Sequence, residues 1–253
     1  MKKTLSVINH LRSKGLVDDY AIGGNVGVIF YTEPFNNEQL DVFVTSGSCK
    51  AKLTPLFNYL VDKGYQWNGD RAIAIERFPT YFILADELEK EAIGDAKTAE
   101  YYGIKTRIMT PEYLVALHLR AEGPINHMKV IKLLEQVILD KKKLDNILGR
   151  YKLTNKFNRF EMINDNKTQR AILEAKKSFH NRKENVPPAW TKASTREEMN
   201  KLIFEGKERQ HREDANIPFE EKIKIARKIQ ESNYKWGTPE RLEERKQQRW
   251  WKR

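Results

Sequence analysis

Two short stretches hold residues whose types and spacing suit phosphate chemistry: Gly23-Gly24-Asn25 and Gln39-Leu40-Asp41. Moving a nucleotidyl group needs backbone N–H groups that cradle phosphate, and a Gly-rich helix start supplies them. It also needs carboxylates that hold Mg²⁺ facing that cradle. Residues two apart on a strand share a face, so positions 39 and 41 would point together. Only the second of them is acidic, because Gln39 offers an amide oxygen without charge. Gly23-Gly24 alone fits an ordinary tight turn as well as a phosphate cradle, and Asp41 alone fits a strand-end turn or cap. His118 and His127 are further candidates for nucleotide contact, and a half-buried packing role suits a helical His equally.

Positioning these residues requires a strand, a glycine turn, a helix, a second turn and a second strand, in that order. Tyr20-Ala21-Ile22 runs into the glycines, and the apolar stretch Val26 to Phe30 follows before Glu33-Pro34. Leu40 to Val44 is β-branched and aromatic and reads as a strand. Apolar Leu5, Ile8 and Leu11 predict a helix over residues 4–15, and Leu53 to Lys63 predicts another that Gly64 ends. Residues 72–75 and 80–84 read as paired strands, a Glu-rich helix is expected from Asp86, and Lys105 to Met109 reads as a short strand. Thr110-Pro111-Glu112 is a helix start. Further helices are expected near Asn126 and over Asp145 to Arg150.

After Ile163 the character changes. From residue 165 onward 23 Lys and Arg stand against 15 Asp and Glu, so the tail holds +8 of the formal +11. Basic, charged helices are predicted over Gln169 to Asn181, Arg196 to Arg212 and Pro218 to Ser232, with Pro187-Pro188 as a linker. The stripe Phe219, Ile223, Ile225, Ala226 and Ile229 is too narrow to build a core alone. It must dock on the first domain, on a copy of itself, or on a partner. The last segment interleaves Trp236, Trp250 and Trp251 with Arg249, Lys252 and Arg253. Such a segment can stack bases while tracking phosphates, or anchor in a protein groove. One cysteine, Cys49, excludes an internal disulfide framework and fits a reducing setting. No apolar run approaches the ~20 residues of a membrane span, so a cytoplasmic protein without membrane contact is expected.

Ala21-Ile22-Gly23-Gly24-Asn25-Val26, Phe30-Tyr31-Thr32-Glu33-Pro34 and Gln39-Leu40-Asp41-Val42-Phe43-Val44 together resemble the minimal nucleotidyltransferase family. These are toxin–antitoxin-associated proteins related to the AbiE-type nucleotidyltransferases. Thr110-Pro111-Glu112-Tyr113-Leu114-Val115-Ala116-Leu117 is similar to that family's downstream helix, and the resemblance spans residues 5–160. It implies transfer of nucleoside monophosphates to RNA or protein with Mg²⁺. Gly23, Gly24 and Asn25 would cradle the triphosphate, Asp41 would be the main catalytic metal ligand, and Gln39 a weakened second one. The sequence departs from the family pattern at the chemistry. Gln39 replaces the first Asp of Asp-x-Asp, Tyr81 occupies the position of a third carboxylate, and the basic stretch with its Asp gives way to Glu122 through Lys129. Glu198 to Leu202 and Pro218 to Ile225 resemble the small helical proteins encoded beside such nucleotidyltransferases, as in a fusion of two partners.

The expectation is therefore an α+β chain. Residues 1–164 form a nucleotidyltransferase-like mixed sheet with flanking helices, 165–196 a basic helix and linker, and 197–253 a basic all-helical extension. Transfer is expected to be weakened or lost. The alternative is a non-catalytic scaffold that binds RNA or a protein through the basic aromatic tail.

Overall fold

The computed structural model describes residues 1–36, 39–46, 53–68, 72–76, 78–164, 206–207 and 209–235. Its centre is a seven-stranded mixed sheet in the order β3-β4-β5-β2-β1-β7-β6. The strands are β1 (Asp19–Ile22), β2 (Leu40–Thr45), β3 (Gln66–Asn68), β4 (Ala72–Ile75), β5 (Phe78–Leu84), β6 (Lys97–Tyr101) and β7 (Ile104–Ile108). β1 pairs antiparallel with β2 and parallel with β7, and β2 pairs parallel with β5. The mixed sheet with flanking helices expected from the sequence is thus the observed architecture.

Strand alternation divides the core in two. In β2, Leu40, Val42 and Val44 are buried while Asp41, Phe43 and Thr45 are half-buried on the opposite face. The first face packs with Leu5, Ile8 and Leu11 of α1 (Lys2–Ser13) and with Leu56 and Leu60 of α3 (Thr54–Asp62). The second packs under α4 (Glu87–Gly94), α5 (Pro111–Ala121), α6 (Pro124–Gln136), α7 (Lys141–Arg150) and α8 (154–164). The short helix α2 (Gly24–Tyr31) serves both, with Val26 and Ile29 in one cluster and Val28 in the other. All-round burial explains why its sequence carries no amphipathic stripe.

The local signals act as the residue types dictate. Asp86 and Glu89 close a capping box at the start of α4, and Asp140 accepts from the Lys143 N–H at the start of α7. The short strands β3 and β6 and the helix α8 go beyond the sequence expectations. In β6, Lys97, Thr98 and Glu100 are exposed and only Ala99 and Tyr101 are buried, so it lacks the apolar run that marks a strand.

The tail helix docks against α2 and the first core cluster. In α10 (Phe219–Lys235), Phe219, Ile223 and Ala226 are buried in the first core cluster. Phe219 meets Phe30 and Tyr101 edge-on, with centroids 5.1 and 5.6 Å apart. Ile225 and Ile229 are only half-buried, whereas Lys222 and Gln230 are buried beside the stripe. The Lys222 Nζ donates to the Phe30 carbonyl at 2.9 Å, on the last turn of α2. Burial alone pushes its pKa down to about 8. A preceding helix, α9 (209–216), reaches the domain through His211, which pairs with Glu33. The expected helix over Gln169 to Asn181 and the Pro187-Pro188 linker lie outside the described residues.

Candidate functional site

The site forms where β1 ends, α2 begins and β2 passes beneath them. Gly23 is the N-cap of α2; its N–H donates to the Asp41 carbonyl at 3.1 Å, and its own carbonyl accepts from Gly27 at 2.8 Å. Both glycines are required by space. A Cβ on Gly23 would stand 2.6 Å from the Phe43 ring. Gly24 has φ +53°, and a Cβ there would stand 1.8 Å from Asp41 Oδ2. The glycine turn and the acid are therefore parts of one packed unit. Asn25 follows in the first turn, and its Nδ2 donates to the Asn36 carbonyl at 3.5 Å, tying the helix start to the loop after α2.

Gln39 and Asp41 do come together. The Gln39 Nε2 donates to Asp41 Oδ1 at 2.7 Å. Burial raises the Asp41 pKa above the ordinary carboxylate value, while the Gln39 hydrogen bond and the charge of Lys129 oppose that rise. Tyr81 stands beside Asp41 on the neighbouring parallel strand, in register.

Two helices close the other side: they bring His118, a candidate for nucleotide contact in the sequence, and Lys129, from the stretch that departs from the family pattern. His118 of α5 and Lys129 of α6 are both buried. The His118 Nδ1 lies 3.0 Å from Asn126 Oδ1. Asn126 Nδ2 donates to the Glu122 carbonyl at 2.7 Å, and Lys129 Nζ donates to Asn126 Oδ1 at 3.3 Å. Those two bonds orient the amide, so Nδ1 of the ring carries the hydrogen. Burial pushes the His118 pKa down to about 3, Lys129 adds to the depression, and Asn126 and the Gly24 backbone oppose it. The ring is neutral, and its buried Nε2 makes no hydrogen bond of normal geometry, although the Gly24 backbone lies close to the ring. Burial also lowers the Lys129 pKa, and the Asp41 charge works against that.

Asn126 and Lys129 sit three apart on α6, on one helix face, and this spacing is the sequence signal that could have joined them. The α5–α6 turn that aims them uses positive φ at two successive residues, Glu122 (+54°) and Gly123 (+87°). His127 instead packs edge-on to Phe160, with centroids 5.4 Å apart. Trp236, Arg249, Trp250, Trp251, Lys252 and Arg253 lie outside the described residues.

The donor set does not suit Mg²⁺, which needs several oxygens in octahedral array. Asp41 is the one carboxylate among the residues gathered here. The nitrogen of Gln39, not its oxygen, meets that carboxylate. A lysine shares the neighbourhood, and among the described residues no three His, Cys, Asp or Glu side chains form a metal-binding group.

No family model matches the chain, and no curated protein matches it. Among solved structures, it is similar to an antigenic nucleotidyltransferase-like protein from Paracoccidioides brasiliensis. The two are 13% identical over 63% of this chain and 91% of that chain, with a TM-score of 0.41. No helix of the described residues is long and apolar enough to cross a membrane.

Proposed function

We propose that this chain is a nucleotidyltransferase-fold protein of the toxin–antitoxin or defence type. In this reading its glycine-turn site receives a nucleoside triphosphate but transfers the monophosphate weakly or not at all. One observation carries the reading. The residue that should be the second metal-binding carboxylate, Gln39, turns an N–H into Asp41. The glycine turn, the acid in register on β2 and the helix that follows supply the setting for phosphate. Attack on the α-phosphate with loss of pyrophosphate needs charge neutralisation on both reacting oxygens. A single carboxylate already hydrogen-bonded by an amide supplies little hold for the ions that do this.

The expected outcome is measured by calorimetric titration of the full chain with each nucleoside triphosphate, for wild type and Asp41→Ala. A label-transfer assay to RNA and to the protein itself runs beside it. Wild type should bind nucleotide, Asp41→Ala should change that affinity by about fivefold or more, and wild type should transfer no label above background. Failure to bind any of the nucleotides removes the nucleotide reading. Efficient transfer removes the claim that catalysis has decayed.

A second reading, a scaffold for RNA or a partner protein, draws on the tail's +8 charge and its interleaved Trp and Arg residues. The docking of α10 supports a fused partner that packs on its own domain. Loss of RNA retention on truncation after residue 235, with the domain still folded, is the result that would favour RNA binding by this tail.

A further inference from the structure

We infer that the Lys129 ammonium stands where a metal ion would otherwise serve, so that this site takes up a nucleoside phosphate without a divalent cation. The inference rests on the nucleotide reading above and adds to it the means of charge neutralisation.

Three observations support it. Lys129 is 8% exposed, yet its ammonium has three hydrogens and, among the described residues, donates one hydrogen bond, at 3.3 Å to Asn126 Oδ1. No direct ion pair joins it to Asp41, although the two feel each other's charge. A buried ammonium with most of its hydrogen-bonding capacity unmatched among the described residues is costly, and phosphate oxygens are the partners that would satisfy it. Beside it, the neutral His118 has a buried Nε2 that makes no hydrogen bond of normal geometry, with the Gly24 backbone close to the ring. A ligand that suits this cluster carries both an anion for Lys129 and a hydroxyl or amine hydrogen for His118. A nucleoside phosphate carries both. The poor fit of Mg²⁺ is the third observation, because one amide-bonded carboxylate beside a lysine repels a divalent ion as much as it attracts one. Lysine is a point charge on a flexible stem and a common phosphate binder.

The test titrates the full chain with ATP, GTP, CTP and UTP, each in excess EDTA and again in Mg²⁺, with inorganic triphosphate as the probe for phosphate alone. Wild type, Lys129→Met and Lys129→Gln are compared, and the thermal midpoint of each variant reports folding. At least one nucleotide should bind wild type in EDTA within about twofold of its affinity in Mg²⁺, and the folded Lys129 variant should lose about tenfold or more in EDTA. Binding that appears only with Mg²⁺ and survives loss of Lys129 would overturn the lysine inference and leave the nucleotide reading intact. Absence of binding in both conditions would overturn both.

Discussion

At the residue scale, His118 turns burial into acid sensitivity. Its folded pKa is near 3, against 6.5 for an exposed imidazole. The unfolded chain therefore binds a proton between those values and the native chain does not. The stability that His118 contributes is full above pH 6.5 and is lost as pH falls toward 3. At pH 5 the loss should reach about 2 kcal/mol. Urea unfolding at pH 7 and pH 5 checks this: wild type should lose that much more than His118→Gln, which has no proton to take up. Equal losses would show that other groups govern the acid limb. Gly24 shows the same scale by geometry. Its positive φ and the carboxylate against its Cα leave no room for any side chain while Asp41 stays in place.

At the element scale, α10 is held by an apolar stripe with a lysine buried beside it. Full burial of a large apolar side chain is worth about 1.5–3 kcal/mol, so Phe219 and Ile223 outweigh most surface contacts of that helix. Lys222 works the other way. A pKa lowered from 10.5 to about 8 means that its charge opposes folding below pH 8, and that this opposition fades as pH rises through 10.5. Lys222→Met should therefore be more stable than wild type at pH 7, by up to about 3 kcal/mol less the lost bond to Phe30. Its stability should also rise less between pH 8 and 10. Chemical denaturation across that range reads both effects.

The elements differ in how much of them the sequence discloses. α1, β2, β4, β5 and α5 are legible because a single period or an N-terminal Thr-Pro announces each. β3 and β6 are short and polar, and they exist because a neighbouring strand pairs with them. Half the site was legible for a similar reason. Gly23, Gly24, Asn25, Gln39 and Asp41 are close in sequence and meet through one turn. His118, Asn126 and Lys129 reach the same place by tertiary packing of α5 and α6, which no local pattern encodes.

At the scale of the whole molecule, the chain is a sheet with helices on both faces, and its tail supplies part of one face. Removing residues 206–253 should uncover Phe30 and Tyr101 and cost about 3–6 kcal/mol. Binding of a hydrophobic dye should rise, and a peptide spanning 206–235 added in trans should reverse both changes. If the truncated chain is as stable as the full one, the docked helix contributes nothing to the fold.

The candidate site and the docked tail helix meet on α2. Its first turn is the glycine turn of the site, and its last turn offers the Phe30 carbonyl that Lys222 holds, six residues and about 9 Å beyond Gly24. A helix that short is a rigid rod gripped at either end. Thermodynamic linkage then makes the two ends reciprocal: by whatever factor a ligand at the glycines alters the docking equilibrium of α10, the docked tail alters the affinity for that ligand by the same factor.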